Sequence, residues 1–147
     1  MRVTFVTPGL TPSGGMLAIV EFANRLAARG HEITMVGLRA RFGAMHQELQ
    51  PDVRLIEVGS ASGRYLSIAN VLAGLRLAIT VPLCDVVIAT HASTIVPTLI
   101  ASRLLRRGKA VWLNQDYPEQ FSHRPFFLWM LRWAPGQFDR VASVAMI

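Results

Sequence analysis

Arg2-Val3-Thr4-Phe5-Val6-Thr7-Pro8-Gly9, followed by Pro12-Ser13-Gly14-Gly15 and the run from Met16 to Gly37, decides the fold. Arg2 to Thr7 is a short apolar stretch closed by the turn formers Pro8 and Gly9, the pattern of a buried strand. From Met16 to Arg29 the apolar residues Met16, Ile19, Phe22, Ala23 and Leu26 recur three or four apart, with Glu21 and Arg25 paired on the other side, which predicts a helix. Gly30 stands where a helix C′ glycine belongs, and His31 to Val36 is the next strand. A strand, crossover helix and parallel strand put the glycine loop at the carboxyl end of the sheet, where open α/β folds bind ligands. Gly14 and Gly15 carry no Cβ, so a ligand can come close to the backbone beside the N–H groups of the helix start. Anion or sugar binding at this loop is the central functional expectation.

The loop fits neither of the two common phosphate motifs. Its glycines are Gly9, Gly14 and Gly15, not the G-x-G-x-x-G spacing of dinucleotide enzymes, and no Gly-Lys-Ser/Thr follows as in a P-loop. A tight turn remains the plain alternative. The wording of the whole stretch adds to it: Phe5-Val6-Thr7-Pro8, Ser13-Gly14-Gly15, and Glu21-Phe22-Ala23-Asn24-Arg25-Leu26-Ala27-Ala28-Arg29-Gly30-His31-Glu32-Ile33. This resembles the opening of GT-B glycosyltransferases, glycosyltransferase family 4 above all. The resemblance implies a Gly-Gly loop that closes on the donor's phosphate and sugar, in an N-terminal domain that binds the acceptor. It also implies retaining, metal-independent transfer from a UDP- or GDP-linked sugar, with no further cofactor. A conventional catalytic base is not implied, the donor phosphate itself serving.

The chain has 147 residues, enough for one domain with a substantial core. A hydrophobic fraction of 52% and a mean hydropathy of +0.37 are high for a free-standing domain and point to a surface that is covered. The single Cys84 excludes an internal disulfide and fits a reducing compartment, so the expected location is cytoplasmic. Pro8-Gly9 cuts the first apolar run too short for a signal peptide. The net charge of +6 suits an anionic partner or an acidic partner domain.

Beyond the second strand, Leu38 to Pro51 is a polar connector, with Phe42 to Gln50 a candidate short helix. Arg39 and Arg41 lie just past the strand's end, where an NADP enzyme would hold a 2′-phosphate, or where solvated loop arginines simply sit. Val53 to Val58 is strand three. Tyr65 to Leu83 is a mostly apolar helix interrupted by Asn70 and Arg76, read as a crossover helix on the sheet and not a membrane span. Asp85 to Thr90 is strand four, and the helix after it is capped by Ser93 or Thr94 and stopped by Gly108. His91 then shares the carboxyl edge with Gly14 and Gly15, either as a turn residue or, by the resemblance, as the histidine that hydrogen-bonds the donor sugar. Lys109 to Asn114 is strand five. It ends in an exposed cluster, Gln115-Asp116-Tyr117, with the hydrogen-bonding inventory for sugar hydroxyls. Asp116 is a weak candidate for positioning or deprotonating an acceptor hydroxyl, or else caps the next helix; Tyr117 is a cleft candidate. Phe121 to Trp133 interleaves arginines with Phe126, Phe127, Trp129 and Trp133, as core packing, a nucleic-acid stacking surface or a membrane interface each does. Val141 to Ala145 is strand six.

The reading is one three-layer α/β/α domain over residues 1–147. It is a doubly wound, Rossmann-like parallel sheet of order 3-2-1-4-5-6, half of a GT-B fold. By the resemblance, the C-terminal donor-binding domain is an absent partner, and this half alone is expected to be inactive. Gly14, Gly15, His91 and Tyr117 are the expected donor or substrate contacts. The other expected partners are a sugar or lipid-linked acceptor and an anionic membrane surface at the inner face of the plasma membrane. No nucleic acid and no metal are expected. An NADP-dependent reductase and a membrane-docking module are the alternatives.

Overall fold

The computed structural model describes residues 1–9, 13–38, 48–59, 68–115 and 123–143. Its six strands are β1 (Arg2–Thr7), β2 (Glu32–Leu38), β3 (Val53–Val58), β4 (Val86–Ala89), β5 (Lys109–Asn114) and β6 (Arg140–Ser143). They form one sheet of order β3-β2-β1-β4-β5-β6, parallel at every pairing, as the sequence predicts. Four helices connect them: α1 (Gly14–Ala28), α2 (Ile68–Thr80), α3 (Ile95–Leu99) and α4 (Pro125–Trp133). Alternation along the strands divides the core by sheet face. Val3 and Phe5 of β1 and Ile33 and Met35 of β2 pack under α1. Val6, Val36 and Val87, on the opposite face, pack under α2. Ala89, Ala110 and Trp112 lie on that second face too, under α3 and α4.

α1 begins at Gly14, two residues earlier than its apolar periodicity suggests. Ser13 is the reason: in extended backbone, it accepts the N–H of Met16 on its side-chain oxygen at 3.3 Å and fixes the start. The glycine pair therefore forms the first turn of the helix instead of a loop ahead of it. At the other end Gly30, with φ +81°, makes the expected cap: its N–H donates to Ala27 O at 2.8 Å, and that of His31 to Leu26 O at 3.1 Å. Val20 and Ala27 are buried on this helix, whereas Phe22, expected in the core, is 43% exposed. The chain after β4 departs further from one regular helix. A single 3₁₀ turn (Ala92–Thr94) leads into α3, which continues as a π turn over Ile100–Leu104.

At the amino edge of the sheet the starts of β1, β4 and β5 are knotted together. Asp85 accepts the Arg2 backbone N–H at 2.7 Å, and this bond holds its carboxyl below the usual carboxylate range. That contribution is present at neutral pH and fades as pH falls through the depressed value. The neighbouring Cys84 thiol is pushed up, chiefly by burial, and donates to Arg107 O. Arg107 in turn donates from its guanidinium to the Ile79 and Val81 carbonyls at the end of α2.

Candidate functional site

The opposite, carboxyl edge brings three distant parts of the chain together. β1, β4 and β5 are neighbours with Val6 beside Ala89 and Ala89 beside Trp112. One to three steps beyond these pairs stand Thr7, then Thr90 and His91, then Asn114 and Gln115. Thr90 ties the first two ends, its hydroxyl donating to Val6 O at 2.9 Å. Gly15 supplies the third link: a Cβ there would lie 3.0 Å from Gln115 Oε1. The first turn of α1 thus reaches across the sheet edge from the end of β1 to the end of β5.

Gln115 is the residue the sequence undersold. It was expected in an exposed cluster, but Asn114 and Gln115 are both half-buried. The Gln115 Nε2 atom is buried with no hydrogen-bond partner among the described residues, and so is the Thr7 hydroxyl on the end of β1. An unpaired buried polar group costs about 1–3 kcal/mol, which gives such groups at a sheet rim an affinity for a polar ligand. Asp116, Tyr117, Arg39 and Arg41 lie outside the described residues.

His91 opens the 3₁₀ turn after β4, whereas Thr94 stands at the N-cap of α3 without a side-chain cap bond and Ser93 at neither position. The His91 Nδ1 atom accepts the Ser93 N–H at 3.1 Å and lies 2.9 Å from the Ser93 hydroxyl. The Thr94 hydroxyl accepts the His91 N–H at 3.1 Å and donates to its carbonyl at 2.8 Å, completing a reciprocal cap. Accepting at Nδ1 selects the tautomer protonated at Nε2, so the ring's far nitrogen is a donor. The capping role and a ligand-binding role therefore use different nitrogens. Around the glycine pair the field favours anions: the first turn of α1 has no acidic residue, and the N–H groups of Gly14 and Gly15 have no carbonyl within their own helix to bond. Among the described residues no group of His, Cys, Asp or Glu is arranged to hold a metal ion.

The two nitrogens make His91 separable by mutation. Asn in its place keeps a side-chain oxygen for the Ser93 N–H but removes the far donor; Ala removes both. His91→Asn is expected to hold its melting temperature, while His91→Ala loses a cap worth about 1 kcal/mol, roughly 2–4 °C. If the rim binds a nucleotide sugar through the far nitrogen, as the resemblance implies, both weaken that binding about tenfold, one neutral hydrogen bond's worth. Thermal scans and titrations check this. Full binding by His91→Asn would leave the histidine a cap and nothing more.

A parallel sheet of this order with a glycine-bearing helix start at its central edge defines a Rossmann-like α/β domain. Among solved structures the chain is similar to HepE from Anabaena in complex with UDP and glucose, at a TM-score of 0.64 and 19% identity over 93% of this chain. It is similar as well to the same protein in complex with UDP-glucose, at a TM-score of 0.59 and 19% identity. The chain spans about a third of the length of these HepE chains, 35% and 34%. No protein-family model matches the sequence, and no curated protein does.

Proposed function

We propose that this chain is the N-terminal, acceptor-side domain of a retaining GT-B glycosyltransferase of the family 4 type. It moves a sugar from a UDP- or GDP-linked donor to a sugar or lipid-linked acceptor, and it works with a second, donor-binding domain. The observation that carries the reading is the junction of Gly15 with Gln115 across the end of β4, where His91 begins. It is supported by the likeness in fold to HepE, whose structures contain UDP with glucose and UDP-glucose.

The chemistry follows from the groups at the rim. The positive end of α1, bare at Gly14 and Gly15, receives the donor diphosphate and stabilises the negative charge that grows as the sugar C1–O bond breaks. His91 Nε2–H and the Gln115 amide hold sugar hydroxyls. In a retaining transfer the departing phosphate oxygen accepts the proton of the incoming acceptor hydroxyl, and the new C1–O bond forms on the face the phosphate leaves. No protein base is required for that proton. An open rim does not exclude water, so the domain alone is expected to transfer no sugar.

Amide chemical shifts of the isotope-labelled chain, titrated with UDP-glucose, GDP-mannose and NADPH, test the site. Shifts at Gly14 to Met16, His91 to Thr94 and Gln115 with one of the sugar nucleotides are the expected result. Shifts with NADPH alone would replace the transferase reading by a reductase. Shifts confined to other parts of the sheet would remove the site altogether.

A further inference from the structure

The outer surface of the α2–α3–α4 layer is apolar where a solvent-facing helix is ordinarily polar. α2 buries Ala73, Leu77 and Ala78 and turns Ile68, Val71, Leu72, Leu75 and Ile79 the other way, exposed by 43% to 81%. These five recur three or four apart, so they form an unbroken row opposite the buried one. α4 divides similarly: Phe127, Met130 and Leu131 are buried, while Phe126, Trp129 and Trp133 lie exposed along its flank. The indoles of Trp129 and Trp133 stack at 5.7 Å with 8° between their planes. Between α3 and α4 runs a shallow groove of about 310 Å³, lined by Val96, Leu99, Ile100, Leu104 and Trp133 among others, with Leu104 75% exposed.

Charge says what covers this face. The described residues from Ile68 onward hold eight Lys and Arg and only two carboxylates, Asp85 and Asp139. Both acids are held at strand starts and off the helices: Asp85 accepts Arg2 N, and Asp139 accepts Ala110 N at 2.8 Å. α2, α3 and α4 therefore carry no negative charge, and Arg76 and Arg132 flank the apolar rows in solvent. Broad apolar rows, tryptophans at their margin and arginines without acids match a lipid headgroup region, where indole rings and guanidinium groups both settle. No helix of the described residues is long and apolar enough to cross a bilayer.

We propose that this helical layer docks on an anionic lipid bilayer, the α2 and α4 rows entering the acyl boundary and Arg76 and Arg132 meeting lipid phosphates. The proposal stands on exposure and charge and does not need the transfer reading, since vesicle binding requires no sugar nucleotide. Docked this way, the carboxyl rim of the sheet opens along the membrane surface.

Sedimentation of the full chain with vesicles of phosphatidylcholine, with and without an equal share of phosphatidylglycerol, is the test. Binding to the anionic vesicles is expected, weakened by added salt. Quenching of tryptophan emission by lipids brominated on the acyl chains reads the insertion of Trp129 and Trp133 in the unmodified protein. Arg76→Gln with Arg132→Gln is expected to lower partitioning roughly thirtyfold, the worth of two headgroup charges. Leu75→Glu with Ile79→Glu, at exposed positions that leave the core alone, is expected to abolish it with an unchanged circular dichroism spectrum. Phe22→Glu, on the opposite layer, retains it. Equal binding to both vesicle types, absence of quenching, or wild-type binding by the double Glu variant would overturn the proposal. So would self-association through this face in place of vesicle binding.

Discussion

Gly108→Val is expected to cost the chain a large share of its folding stability, although position 108 lies at the sheet edge opposite the candidate site. Gly108 has φ +145°, a backbone region L side chains rarely adopt. A Cβ there would stand 2.9 Å from the Cys84 carbonyl oxygen, 3.1 Å from Cys84 Sγ and 3.3 Å from the Asp85 carbonyl carbon. Two of these three neighbours are backbone, and that backbone is pinned. The Cys84 N–H donates to Arg107 O at 3.0 Å, the Lys109 N–H to Asp85 O at 3.0 Å, and the Ser102 hydroxyl to Gly108 O at 2.6 Å. Nothing can move aside without parting β4 from β5 or the π turn from both. Backbone strain of about 1–3 kcal/mol and overpacking of similar size together reach roughly 2–6 kcal/mol, against a typical total of roughly 5–15 kcal/mol. Urea unfolding followed by circular dichroism measures the loss. Gly108→Ala is expected to show a smaller part of it, and an unchanged midpoint in the valine variant would mean the junction is far softer than its bonds imply.

What made the sheet legible also explains what was hidden. Buried parallel strands are continuous apolar runs, and Val3–Val6, Ile33–Val36 and Val87–Ala89 announce themselves without reference to anything distant. Gly30 is a local signal too, since a cap involves residues three or four apart, whereas apolar periodicity alone passes over the Ser13 cap. Gln115 is the contrary case. Its burial depends on α1, a hundred positions earlier in the chain, and nothing in Asn114-Gln115 distinguishes a half-buried amide from a solvated one. The proline inside α3 does not break it. Pro97 lacks an N–H but occupies the first turn of α3, where no helical partner is required. α2 is a crossover helix on the sheet as its sequence predicts, but its apolar residues on all sides do not tell the buried row from the outer row that faces solvent. Composition records that a residue is apolar and not which side of a layer it faces.

Gly15→Leu is expected to abolish nucleotide-sugar binding while leaving the fold intact, the reverse of the Gly108 result. Gly14 and Gly15 are both helical in α1, and neither has the positive φ that demands glycine. Within a helix each costs about 0.5–1 kcal/mol relative to Ala, so the pair works against the element it occupies. Packing does not account for it either. A Cβ at Gly14 would meet nothing within 4 Å, and one at Gly15 would meet only the side-chain end of Gln115, at 3.0 Å. Two bare positions that neither backbone conformation nor core packing requires are what the proposed close approach of a ligand calls for. Leucine at 15 fills the space over the rim and displaces Gln115, so binding of a UDP- or GDP-linked sugar should fall at least roughly a hundredfold, the sum of a lost charge-assisted contact and a steric block. Gly14→Ala should stabilise the helix by several tenths of a kcal/mol and still weaken binding, because stability and ligand access depend on that position in opposite senses. Chemical-shift titrations beside thermal scans separate the two effects. If Gly15→Leu binds as the wild type does, the helix start is not where the phosphate sits; if it unfolds, Gln115 is held more tightly than its unpaired amide suggests.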